Sequence, residues 1–260
     1  MVYCMAGIHG NAAAYFDMKR AIMFDENDKL YILGNIFDGN DEHPEYCLAI
    51  LEDIMNNKNI TLILGEHECA YKKYFTAKND EAKEELRNLI LSLKPSGKAL
   101  LEYLENMDEA ERNAYLLYLG ECNISGMVKI NKRKFYMVSG APIYVDIFCY
   151  EDDWDFKVAL EQIEYGKDYK KSIESDPLMY GKKEKWDNER DILISGNKVR
   201  EVAGFGLRAN EKSGKNNVFR KIEFYKNKML IDCGGDGEKI PTLACVGVKE
   251  EEFVAFYKVV

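Results

Sequence analysis

The feature that most constrains this chain is a pattern repeated three times near its start: a short apolar run followed at once by glycine. Val2–Ala6, Lys29–Leu33 and Ile60–Leu64 lead directly into Gly7, Gly34 and Gly65. After the first run, Asn11 suits the N-cap of a helix from Ala12 to about Phe24. After the second, His43-Pro44 opens a helix reaching about Met55, with Leu48, Leu51 and Ile54 on one face. Strand, glycine loop, helix and strand again is a βαβ unit, and consecutive units build a parallel sheet. Ligands on such sheets bind beyond the carboxyl ends of the strands. The loops that begin at Gly7, Gly34 and Gly65 are therefore expected to converge on one site.

Farther along, residues from about 70 to 120 read as charged helices, broken into roughly three at Pro95-Ser96-Gly97 and Asn106-Met107-Asp108. Ile124–Val138 alternates and is expected to turn at Asn131-Lys132 as a hairpin. Asp152–Trp186 is expected to be helical in its first half, then a loop around Asp176-Pro177. Asp191–Ser195 reads as a strand, Phe219–Asp232 as a second hairpin, and Leu243–Val248 and Phe253–Tyr257 as closing strands. Late hairpins after early βαβ units predict an α/β chain with a second, mixed or antiparallel sheet packed on the first. With no linker between the alternating elements, a single domain over residues 1–260 is expected.

Composition narrows the partners. The chain is 47% hydrophobic, enough to bury a sizeable core. Its 45 acidic against 36 basic residues give a net charge of −9, which argues against a nucleic-acid partner. The basic run Lys129–Lys134 falls on an expected hairpin turn and reads as a solvated turn. The seven cysteines include no C-x-x-C pair and several sit in apolar runs, the pattern of buried thiols in a reducing compartment. No apolar stretch approaches the about 18 residues that would cross a bilayer. The start of the chain lacks the charged and apolar regions of a secretory signal. A soluble, cytoplasmic protein without a membrane partner is the resulting expectation.

The three loops read Gly7-Ile8-His9-Gly10-Asn11, Gly34-Asn35-Ile36-Phe37-Asp38-Gly39 and Gly65-Glu66-His67-Glu68. In order and spacing they resemble the calcineurin-like metallophosphoesterases, most closely the bacterial and phage-type serine/threonine protein phosphatases. That family carries G-D-x-H-G, G-D-x-x-D-R-G and G-N-H-E, each after a strand. Weaker echoes follow at Val138–Ala141, Ile194–Asn197 and Leu230–Gly235. The resemblance implies a two-sheet β-sandwich flanked by helices, with the helices of about 70–120 as an insertion beside the site. It also implies a site for two divalent cations that activate a water.

The departures from the motifs bear on that chemistry. The first-motif aspartate is Gly7, while His9 is kept. The bridging aspartate is Asn35, the third-motif asparagine is Glu66, and the phosphate-gripping arginine is Gly39. The two late metal-binding histidines align with Ser139 and Asn197. With only three histidines in the chain, His9, His43 and His67, neither can lie at a shifted position. Asp38 and His67 match the family's pair in which a carboxylate orients an imidazole that protonates the leaving oxygen, and Glu68 also matches. Lys182 aligns loosely with a second phosphate-binding arginine. The resemblance thus implies a phosphatase-like protein that is catalytically inactive or impaired, a pseudoenzyme that binds a phosphorylated ligand or a protein partner without a metal cofactor. The competing expectation is an active phosphoesterase with one divalent ion, Mn²⁺ or similar, on His9, Asn35 and Glu66, with His67 as acid.

Overall fold

The computed structural model describes residues 1–37, 41–93, 96–130, 133–139, 192–198, 223–225, 228–233, 242–249 and 252–259. The expected βαβ start is present: β1 (Val2–Ala6), α1 (Ala12–Ala21), β2 (Lys29–Leu33), α2 (Glu45–Met55) and β3 (Ile60–Ile63). β1 pairs parallel with β2, Tyr3 opposite Leu30, and β2 pairs parallel with β3, Ile32 opposite Leu62. α1 ends three residues earlier than Phe24. The Ile22 N–H closes on the Met18 carbonyl, and Met23 then turns into the left-handed region at φ 51°.

Four helices follow where about three were expected: α3 (Glu66–Phe75), α4 (Asp80–Leu93), α5 (Gly97–Asn106) and α6 (Glu109–Glu121). α3 begins straight after β3, with Gly65 as N-cap and the Glu68 carboxylate accepting from the Gly65 N–H at 2.9 Å. The third glycine loop is therefore a helix start, which puts His67 and Glu68 on rigid backbone. α6 has an ordinary side-chain cap. Asp108 accepts from the Ala110 and Glu111 N–H groups at 2.9 and 3.2 Å. Asp108→Ala is expected to cost about 1 kcal/mol, seen as a lower urea midpoint with an unchanged slope.

β4 (Ser125–Ile130) and β5 (Arg133–Val138) form the expected hairpin. With β6 (Ile192–Lys198), β7 (Glu223–Tyr225) and β8 (Lys228–Asp232) they make a mixed sheet in the order β4-β5-β6-β8-β7. The expectations for Asp152–Trp186 lie outside the described residues. The closing strands β9 (Thr242–Lys249) and β10 (Glu252–Val259) do not join this sheet. They return to the first, giving the order β10-β9-β1-β2-β3, with Met5 opposite Cys245 in an antiparallel pair.

Period-two alternation divides the first sheet between two cores. Tyr3, Met5, Leu30, Ile32, Ile60, Leu62, Leu243 and Cys245 pack against the helices. Their strand neighbours Cys4, Ala6, Leu33, Ile63, Ala244 and Val246 pack against Phe135, Met137, Ile194, Met229 and Ile231 of the second sheet. This is the helix-flanked two-sheet sandwich that the resemblance implied. Of the cysteines, Cys4, Cys47, Cys69, Cys233 and Cys245 are buried and Cys122 half-buried. Burial raises the Cys4 and Cys245 thiols well above their usual range and pushes Cys122 up to about 11, which makes them inert packing groups.

Candidate active site at the strand ends

The carboxyl ends of β1, β2 and β3 are drawn together by backbone contacts. The His9 N–H donates to the Asn35 carbonyl at 2.7 Å, tying the first loop to the second. Glu68 ties the second to the third. Its fully buried carboxylate accepts from the N–H groups of Ile36 (2.7 Å), Phe37 (3.0 Å), Asn35 (3.2 Å) and Gly65 (2.9 Å). Four donors satisfy an anion that would otherwise be costly to bury. The loops therefore converge as expected, and Glu68 is the group that holds two of them.

The backbone is unusual here. Gly7, Gly10 and Gly34 have φ of 70°, 70° and 63°, and His9 and Asn35 have φ of 50° and 57°. For residues other than glycine that region is uncommon and costs energy. Two of the three candidate metal ligands thus sit on strained backbone, held there by the bond between them.

Both site histidines are buried, His9 at 4% and His67 at 6% exposure. Each faces a carboxylate at a distance too long for a hydrogen bond. His9 Nε2 lies 3.6 Å from Asp232 Oδ2, and His67 Nε2 lies 3.7 Å from Glu66 Oε1. Glu66 accordingly stands beside His67. Asp38, expected to orient His67, lies outside the described residues, as do Gly39 and Lys182; Asn197 is in β6.

Asp232 is the functional candidate that sequence reasoning did not single out. It ends β8 and is 1% exposed. Its signal was membership of the family echo Leu230–Gly235, where it closes the apolar run Leu230-Ile231.

The described side chains do not fit a two-cation centre. A Cβ at Gly7, where the family's first carboxylate begins, would overlap Asp232 Oδ1 and come within 2.8 Å of Asp232 Cγ. At the fourth-motif position, Ser139 Oγ would lie 2.5 Å from a Cβ on Gly34 and 2.8 Å from one on Gly65. Among the described residues, no group of three or more His, Cys, Asp or Glu side chains is placed to hold a metal ion.

With the fold and the three converging loops established, the comparisons with known proteins give the class. The sequence matches the calcineurin-like phosphoesterase family over residues 2–236, and the chain belongs to that family. Among solved structures it resembles a putative diadenosine tetraphosphatase, with 13% identity and a TM-score of 0.50 over 98% of this chain and 92% of that one. A hypothetical protein from Pyrococcus horikoshii OT3 matches at 16% identity and a TM-score of 0.48, over 100% of this chain and 88% of that one. A novel archaeal phosphodiesterase matches at 14% and 0.40, over 99% of each chain. No curated protein matches. Among the described residues, no helix is long and apolar enough to cross a membrane.

Proposed function

We propose that this chain is a serine/threonine-phosphatase-like member of the family in which two-metal hydrolysis is lost or strongly impaired. In this reading it works as a single cytoplasmic domain that binds a phosphorylated ligand or protein partner at the strand-end site, without a resident metal. The observation that carries the reading is the filling of position 7. Where the first metal-facing carboxylate would stand, there is glycine on left-handed backbone with the Asp232 carboxylate against it. The loops remain tied by Glu68, so the scaffold of the site is kept while its metal-holding groups are replaced. The net charge of −9 speaks against a nucleic-acid partner.

One observation favours a second reading. His9 and His67 are both still present and buried at the site. An altered phosphoesterase with one Mn²⁺ or similar ion on His9, Asn35 and Glu66, and His67 as acid oriented by Asp38, would need both; Lys182 would then grip the phosphate.

The two readings separate in one experiment. The purified protein is assayed for bound metal and for hydrolysis of p-nitrophenyl phosphate and diadenosine tetraphosphate, with and without Mn²⁺. The expected result is metal well below one ion per chain and a background rate that neither Mn²⁺ nor His9→Ala nor His67→Ala changes. Mn²⁺-stimulated turnover that disappears in both variants overturns the first reading and establishes the second.

A further inference from the structure

The last turn of α1 carries an ammonium group ringed by aromatic side chains. Lys19 Nζ lies over the rings of Tyr15, Phe24 and Phe16, at 5.5, 5.7 and 5.9 Å from their centroids. It also stands 2.5 Å from Asp53 Oδ2 on α2. Significant contacts between a cation and a ring occur roughly once per 70–80 residues, so three around one nitrogen go beyond incidental packing. The local sequence builds the ring. Tyr15 and Phe16 stand one helical turn before Lys19, on the same face of α1. Phe24 returns because the left-handed backbone of Met23 reverses the chain, and its N–H donates to the Lys19 carbonyl at 3.1 Å. We propose that Tyr15, Phe16, Phe24 and Asp53 form a binding site for a primary alkylammonium group, occupied in this state by the chain's own Lys19. It lies at the far end of α1 from the first loop and does not depend on what the strand-end site does.

Three physical points support this. First, the walls stand without Lys19: Tyr15 is fully buried in the core, and Phe16 and Phe24 pack against it. Second, the anion is held independently. The Tyr15 hydroxyl donates to Asp53 Oδ2 at 2.6 Å. Burial and that bond push the hydroxyl far above its usual range, so it stays a donor. Third, the lining selects for chemistry. Ring faces attract a cation, and the carboxylate takes one charge-assisted hydrogen bond from it. Hard metal ions need a shell of oxygens, which ring faces do not supply. The Lys19 and Asp53 side chains keep 15% and 25% exposure, so the site opens to solvent. An ammonium group from outside enters by displacing Lys19, and its entry and the release of α1 from Asp53 are one event.

The test uses the full chain and a small probe. Lys19→Ala removes the ammonium and most of its stem, and propylammonium supplies the same atoms. The variant is expected to lose about 5 °C in thermal midpoint. Propylammonium chloride at about 100 mM is expected to raise that midpoint by at least about 2 °C more than sodium chloride does at the same concentration. The wild type, with its site filled, is expected to respond to the two salts alike. In Lys19→Ala, saturating the aromatic protons is expected to transfer magnetisation to the propylammonium NMR signals. Lys19→Ala/Asp53→Asn is expected to abolish both the gain and the transfer. Equal responses of Lys19→Ala to the two salts overturn the proposal. An equal gain in the wild type overturns it too, as does a gain that survives loss of the carboxylate. Should Lys19→Ala be insoluble when expressed, refolding yield replaces the midpoint. A yield about threefold higher in propylammonium than in sodium chloride supports the site, and equal yields overturn it.

Discussion

Replacing Glu68 with glutamine is expected to lower the thermal midpoint by about 10 °C. The present carboxylate accepts four backbone N–H bonds, three from residues 35–37 and one from Gly65, and none of it reaches solvent. Glutamine keeps the length but offers a single oxygen. Its NH₂ group would meet N–H donors where an acceptor stood. Hydrogen bonds to a charged group contribute about 1.5–3 kcal/mol each, and stranded buried donors cost about 1–3 kcal/mol. Even with partial rearrangement, a net loss of about 4 kcal/mol follows, and a chain of this size loses a few degrees per kcal/mol. Calorimetry measures the midpoint, and hydrogen exchange at Ile36 and Phe37 locates the loss. A shift under about 2 °C would show that the loops are held by something other than this carboxylate.

Gly34→Ala is expected to be comparably damaging, for a different reason. Gly34 lies at φ 63°, which an L side chain enters at a cost. Its new Cβ would also stand 2.7 and 2.8 Å from the Gly65 Cα and N, which are backbone atoms and cannot swing aside. Ser139 Oγ at 2.5 Å is the one neighbour that removal could clear. Gly34→Ala/Ser139→Gly is therefore expected to recover little. A loss of about 3 kcal/mol or more in urea unfolding, persisting in the double variant, is the predicted outcome. Substantial rescue by Ser139→Gly would mean that the serine, and not the meeting of two backbones, sets the limit.

These two residues mark what could be read from the linear chain and what could not. Gly34 was legible because a glycine after a short apolar run is a local signal, and the three strands it helped define are present. The start of α3 was less legible. Its first turn, Glu66-His67-Glu68, has no apolar periodicity, and Glu68 is buried through bonds to a loop some 30 residues earlier. β9 and β10 were recognised as strands, but their return to β1 depends on pairing between the two ends of the chain. Asp232 lay within a recognised echo of the family, but its contact with Gly7 arises only when the second sheet packs on the first and brings β8 against the first loop. The motif residues His9, Asn35, Glu66 and His67 were legible as candidates. Glu66 and His67 are chain neighbours, whereas the grouping of His9 with Asp232 is a property of the fold alone.

The return of β9 to β1 also sets an order of events during synthesis. Val2 pairs with Val248, so β1 is synthesised long before β9, the strand that covers its second edge. Until then β1, β2 and β3 can assemble with their helices, but β1 presents an open row of N–H and C=O groups to any strand it meets. Cys4, Ala6 and Leu33 wait with it, because the face they share is covered only when the second sheet arrives. A nascent chain of this kind is exposed to wrong pairing while the residues between β1 and β9 are being made. Its vulnerability lies in that interval and ends when the last hairpin docks.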